Sequence, residues 1–190
     1  MIEIASSLFG LIQGVLIMLN KRSNWIFYTL QMFFLTLFSI EVRLWGDVFI
    51  DVIYAILGVI CFILWKKGNS IDIISTYGWK QRIICGLATI ISIIVLGGIL
   101  NQTNNPLPFW DSATSVTSIV ATWLMFCRKL ETWIMWFVND ILYLITYLKL
   151  PDPPLYIIML YIIWTILAVI SFVNWKILYS KNCIQKNDVS

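Results

Sequence analysis

Seven apolar runs follow one another along the chain, at about residues 4–20, 24–43, 47–65, 82–100, 112–127, 131–149 and 155–175. Each approaches the roughly twenty helical residues that cross the hydrocarbon core of a bilayer. The pattern predicts an all-α integral membrane protein of seven transmembrane helices joined by short polar turns. In the first run Gly10 and Gly14 stand four apart, the spacing of closely packed membrane helices. The fifth begins DSATSVTS, whose small hydroxyl residues favour close backbone approach, with lining of a pathway as the competing role.

The sixth run, ETWIMWFVNDILYLITYLK (131–149), breaks the apolar pattern at its centre with Asn139 and Asp140. Positions Trp133, Trp136, Asp140, Tyr143 and Tyr147 follow three-four spacing and share one helix face. A carboxylate and an amide at bilayer depth cost several kcal/mol unless they face a bundle interior or a wet cavity. The face therefore reads as the wall of a polar, aromatic-lined site; a pair that ties neighbouring helices is the competing reading.

Composition narrows the class. Of 190 residues 60% are hydrophobic and 12% charged, and the mean hydropathy is +0.86, which no ordinary soluble domain of this size matches. The net charge of +3 is spread over short loops and forms no nucleic-acid patch, and histidine is absent. Cys61, Cys85, Cys127 and Cys183 show no metal-ligand or close-pair spacing, so buried free thiols are expected. There is no phosphate loop and no nucleophile–base arrangement; neither a cofactor, a metal nor an enzymatic activity is expected. Met1, Ile2 and Glu3 lead directly into the first run without a basic stretch, which reads as a retained helix and not a cleaved signal.

Basic residues predict the orientation. Lys21, Arg22, Lys66, Lys67, Lys80, Arg82, Arg128, Lys129, Lys176, Lys181 and Lys186, eleven of the thirteen, fall on one side of a seven-helix chain, with only Arg43 and Lys149 opposite. The positive-inside rule then places the N-terminus outside and the tail in the cytoplasm of a multi-pass plasma (inner) membrane protein.

The two ends of the chain also resemble each other. At an offset of 108, Ser7 matches Ser115, Lys21 matches Lys129, Trp25 matches Trp133, Tyr28 faces Trp136 and Gln31 faces Asn139. At an offset of 110, Tyr54 faces Trp164, Trp65 matches Trp175 and Lys66 matches Lys176. Three helices in each half with one left over predict a parallel 3+1+3 repeat of the kind found in SWEET sugar transporters, with a site between the halves near the midplane. The corresponding divisions are 1–67 for the first three-helix unit, 68–110 for the linker helix and outer loop, 111–178 for the second unit and 179–190 for the tail. If the halves face each other, Tyr28, Gln31, Trp136 and Asn139 converge as two aromatic plates and two amides.

The strings KRxNWxxYxxQ (21–31) and RLWGDVxxDVIYxxxG (43–58) ending in WKK, then RKLETWIMWFVNDILY (128–143), LYxxxLYxxW (155–164) and NWK (174–176), resemble the PnuC-type vitamin-precursor transporters. The likeness runs from Leu8 to Lys176, and WIMWFVN is its most specific part. It implies a SWEET-like 3+1+3 fold, homotrimers in lipid, and uptake of nicotinamide riboside by facilitated diffusion, with a cytoplasmic kinase trapping the solute. It also carries a solute-binding role to Gln31, Asp51, Tyr54, Trp133, Trp136 and Asn139. Asp51 departs from the family, which more often has an amide there; a buried carboxylate favours a cationic ligand.

The residue types point the same way. Indole faces attract flat aromatic cations by about 0.5–2 kcal/mol, and Gln31 and Asn139 offer donor and acceptor together, which suits ribose hydroxyls or a carboxamide. With Tyr28, Asp140 and Tyr143 added from the helix faces, these residues describe a site for a flat, cationic, hydroxyl-bearing solute. The alternatives are a carrier of thiamine or riboflavin, proton-coupled through Asp140, Asp51 or Asp47, and a non-transporting membrane subunit.

Overall fold

The computed structural model describes residues 2–18, 23–64, 74–127 and 129–187. Expectations resting on Lys21, Arg22, Trp65, Lys66, Lys67 and Arg128, and on the side chains of Cys61, Lys181, Cys183 and Lys186, lie outside the described residues. Each apolar run has become a helix: α1 (Ile2–Met18), α2 (Asn24–Glu41), α3 (Trp45–Leu64), α4 (Trp79–Leu100), α5 (Pro108–Phe126), α6 (Thr132–Leu148) and α7 (Leu155–Asn187). No strand forms among the described residues beyond an isolated bridge between Ser75 and Lys129. Helices are the economical answer for such a sequence, because each satisfies its own backbone where no water is present to do so.

Two helices, Trp79–Leu100 and the Leu155–Ile177 part of α7, are by length and composition long and apolar enough to cross a membrane. With 22 residues, α4 is about 33 Å long at 1.5 Å per residue, which matches a hydrocarbon core of about 30 Å. The seventh run was expected to end at 175 and a tail to begin at 179, yet α7 continues as helix to Asn187. Its polar end remains helical because nothing between Trp175 and Asn187 is a proline or glycine.

Packing sorts the helices into two groups. Within the first, α2 packs against α1 and α3; within the second, α6 packs against α5 and α7, and α4 lies on α5. The groups meet along two seams, α1 with α7 and α3 with α5. The buried core lies between them: Met32, Leu35 and Phe38 from α2, Ile50 and Tyr54 from α3, Tyr143 and Tyr147 from α6, and Ile157 and Tyr161 from α7 form one cluster. Outward faces are apolar and exposed, as on α4 at Ile84, Leu87, Ile91, Ile94 and Val95.

Gly10 meets the expectation of close packing. A Cβ there would come within 2.7 Å of Leu160 Cδ2 on α7 and 2.8 Å of Gln31 Nε2 on α2, whereas at Gly14 the nearest atom, Trp164 Nε1, is 3.9 Å away. Of the two glycines, only Gly10 is in close contact, and a methyl group there would have to displace the side-chain ends of Leu160 and Gln31.

The α2–α3 turn is tight. Arg43 adopts φ 61°, and Leu44 N–H donates to Ser39 O at 2.9 Å, closing α2 with the left-handed residue typical of helix C-termini. This turn delivers Asp47 into the interior within the first turn of α3.

Candidate solute-binding site

On α6 the buried residues are Thr132, Asn139, Asp140, Tyr143, Thr146 and Tyr147. The three-four face anticipated from sequence does turn inward at Asp140, Tyr143 and Tyr147, while Trp133 and Trp136 are half-buried towards the start of the helix. Asn139 is fully buried and reaches α5: its Nδ2 lies 2.9 Å from Thr114 O, 2.8 Å from Thr117 Oγ1 and 3.0 Å from Ser118 Oγ. The hydroxyl-rich opening of α5 thus both packs closely and supplies acceptors.

On α2, Gln31 is also buried, with its Nε2 against Gly10 of α1. Each amide is therefore set against the first helix of its own group, and the positions met, Gly10 and Ser118, are themselves 108 residues apart. Tyr28 packs edge-on to Trp25, with ring centroids 5.7 Å apart, and at 6.3 Å from Tyr54. Tyr54 in turn shares a 2.6 Å hydrogen bond with Thr122 of α5. Trp133 meets Trp175 edge-on at 5.5 Å.

Among the buried polar atoms that make no hydrogen bond are five of interest here: Gln31 Oε1, Asp47 Oδ2, Trp133 Nε1, Trp136 Nε1 and Asn139 Oδ1. Buried polar groups are nearly always paired, and each orphan costs about 1–3 kcal/mol. Four of the five belong to residues singled out from sequence. Such a set, three acceptors and two indole donors, matches a ligand bearing both hydroxyl or amide donors and acceptors.

Sequence reasoning undervalued α3 and α5. Asp47 Oδ1 accepts from Thr114 Oγ1 at 3.1 Å, Ser115 Oγ at 3.4 Å and Tyr143 OH at 3.1 Å, which joins three helices on one oxygen. Asp51 Oδ2, one turn later, accepts from Ser39 Oγ at 3.2 Å. In the sequence Asp111 is simply the first residue of the DSATSVTS stretch. Its carboxylate receives the backbone N–H groups of Gly46 and Asp47, each at 2.8 Å, and Asn105 Nδ2. A carboxylate of α5 thereby caps the start of α3, satisfying donors that a helix leaves free at its N-terminus.

Tyr143, Tyr147 and Tyr161 form an aromatic cluster beside Asp47, with centroids 4.6–5.6 Å apart. Phe38 closes it edge-on to Tyr147 at 5.9 Å. Beyond Phe38 opens a cavity of about 820 Å³, lined by Glu3, Phe38, Glu41, Leu150, Asp152 and Pro154 among others. No group of three or more metal-ligating side chains occurs among the described residues, and Cys85 and Cys127 are free thiols.

Comparison with known proteins agrees with this fold. A solved structure titled "Crystal structure of the Vitamin B3 transporter PnuC" superposes with a TM-score of 0.75 at 22% identity, over 95% of this chain and 82% of the other. The nicotinamide riboside transporter PnuC of Neisseria mucosa is 24% identical over 186 residues, covering 91% of this chain and 71% of that protein. The family model described as "Nicotinamide mononucleotide transporter" matches residues 1–177. The chain belongs to that family of membrane transporters, with PnuC among its relatives.

Proposed function

We propose that this protein carries nicotinamide riboside across the membrane. The family description names the mononucleotide and the relative from Neisseria mucosa the riboside, and the charge of the site separates the two. A phosphate needs arginine, lysine or a row of free backbone donors, yet the buried polar residues described include carboxylates and amides and no lysine or arginine. That observation favours the unphosphorylated, cationic nucleoside. The orphan carbonyls of Gln31 and Asn139 suit ribose hydroxyls and the carboxamide, and the indole and phenol rings suit the pyridinium.

The two three-helix groups, with α4 set aside on α5, support reading the fold as a parallel 3+1+3 repeat divided near residues 67, 110 and 178. The matching approaches of Gln31 to Gly10 and of Asn139 towards Ser118 support the same reading. By its basic residues the protein sits in the plasma membrane with its N-terminus outside. The 820 Å³ cavity is then an outer vestibule, Phe38 and Tyr147 its floor, and the α6 face from Tyr147 to Trp133 the route inward. Transport is facilitated diffusion in a homotrimer, with phosphorylation by a cytoplasmic kinase preventing return.

Calorimetry on the purified protein tests the solute: the riboside binds, and the mononucleotide binds at least about a hundredfold more weakly, the equivalent of about 2.7 kcal/mol. Comparable affinities would remove the charge argument. In vesicles, uptake of riboside stops at equal concentrations on both sides and resumes when a riboside kinase and ATP are enclosed. Uphill accumulation driven by an ion gradient alone would overturn the uniport reading.

A further inference from the structure

The end of the bundle opposite the cavity is fastened around one side chain. Glu131 stands directly before α6, two residues ahead of Trp133. Its Oε1 accepts three donors: Tyr77 N–H at 2.9 Å, Arg82 Nε at 3.0 Å and Arg82 Nη2 at 2.9 Å. Residues 74–77, which lead into α4, lie along the α5–α6 turn beside it. Ser75 and Lys129 form a parallel bridge, and Leu130 N–H donates to Ser75 O at 2.9 Å. Lys129 Nζ donates to Ser75 Oγ at 3.0 Å and stands 4.9 Å from the centroid of the Tyr77 ring. Ile74 is buried at the start of this clasp.

Clasp and cavity occupy the two ends of α6. Glu131 precedes the helix, while Leu150 of the cavity lining follows it, and its 17 residues separate them by about 25 Å. Trp133, Trp136 and Asn139 lie between, on the clasp side of the helix centre. A solute that enters from the cavity and passes them leaves past the start of α6, where the clasp stands. Three observations mark the clasp as one that parts. The Arg82 side chain is 55% exposed, and an ion pair so open to solvent holds weakly. Glu131 Oε2 is buried without a partner among the described residues, so the closed state leaves half the carboxyl group unsatisfied. At the offset of 108 the first half has Ser23 where the second has Glu131, so a carboxylate at this point is not a shared requirement of the two ends of the chain.

We propose that Glu131 is the gating residue of this carrier: held by Arg82 and by residues 74–77, it closes the inner end while the outer cavity is open, and its clasp must part for the solute to leave. The inference rests on the transport reading above and adds to it the contact that separates the two sides.

The test uses the full-length protein reconstituted in liposomes, with nicotinamide riboside as the probe and the four native cysteines replaced by serine. Ser75→Cys with Lys129→Cys places two thiols across the bridge, where paired residues stand about 5 Å apart, within disulfide reach. The reduced double variant takes up riboside. Once oxidised, with the disulfide verified by mass, it slows at least about tenfold and recovers with reductant, because a gate that cannot part cannot turn over. Uptake unaltered by the disulfide overturns the proposal and leaves riboside transport standing. Arg82→Gln supplies an independent reading, whether or not the double variant is active. Loss of the ion pair raises the uptake rate about two- to fivefold, while calorimetry finds the riboside dissociation constant within about twofold of wild type. Unchanged or slower uptake, or a change confined to affinity, overturns the proposal as well. A wild type that carries no riboside overturns the transport reading and this inference with it.

Discussion

The Tyr143 hydroxyl of α6 donates to Asp47 Oδ1 of α3 across 3.1 Å, joining residues 96 positions apart and from different three-helix groups. The same oxygen serves α5 through Thr114 and Ser115. One carboxyl oxygen thus registers the position of three helices, and the aromatic wall is anchored to the other three-helix group.

Trp136 and Asn139 carry orphan atoms in the proposed site, and their removal distinguishes recognition from packing. Trp136→Ala is expected to weaken riboside binding by about 1–3 kcal/mol, by analogy with base stacking on aromatic side chains. Asn139→Ala loses a comparable amount of binding and, because its Nδ2 also ties α6 to α5, lowers the melting temperature as well. Titration and thermal unfolding of both variants decide this; undiminished affinity in both places the solute elsewhere.

Gly10 and Gly14 are expected to behave differently under the same substitution. Gly10→Ala forces a Cβ to 2.7 Å from Leu160 and 2.8 Å from Gln31, and overpacking of this kind costs about 1–3 kcal/mol. Gly14→Ala meets nothing closer than 3.9 Å, so its melting temperature stays near wild type. A scan in detergent of the two variants side by side reads the difference, and equal stabilities refute the packing argument.

Asp111→Ala removes the acceptor for two helix-terminal amides. A loss of about 1–3 kcal/mol is expected from donors left unpaired, with Asp111→Asn, which keeps one side-chain oxygen as an acceptor, recovering part of it. Denaturation of the three proteins provides the measurement, and indifference to both changes excludes the cap.

The orientation is checked by labelling, in a background with the four native cysteines replaced by serine. Gln102→Cys, in the exposed loop between α4 and α5, is expected to react with an impermeant thiol reagent on intact cells, and Asn187→Cys only after permeabilisation. The opposite pattern inverts the assigned topology.

The helices were legible because run length and polar punctuation are local signals, and all seven runs correspond to helices. The inward face of α6 was legible for the same reason, since three-four spacing needs no knowledge of the partner. What α3 does was not. An acidic residue near the start of a helix reads as a complement to that helix's own N-terminal charge, and Asp111 instead caps α3, 64–65 positions away in sequence. Asp47 gains its partners only when α5 and α6 are already beside it. The two glycines of α1 have identical spacing signals, and only the approach of Leu160 from α7 and Gln31 from α2 sets Gly10 apart.

At Gly10 three helices approach until there is no room for a methyl group, and the amide of Gln31 is wedged into that junction. The same point holds the two groups together along one seam. A side chain added at Gly10 would therefore disturb the seam between the two groups and the setting of Gln31 together.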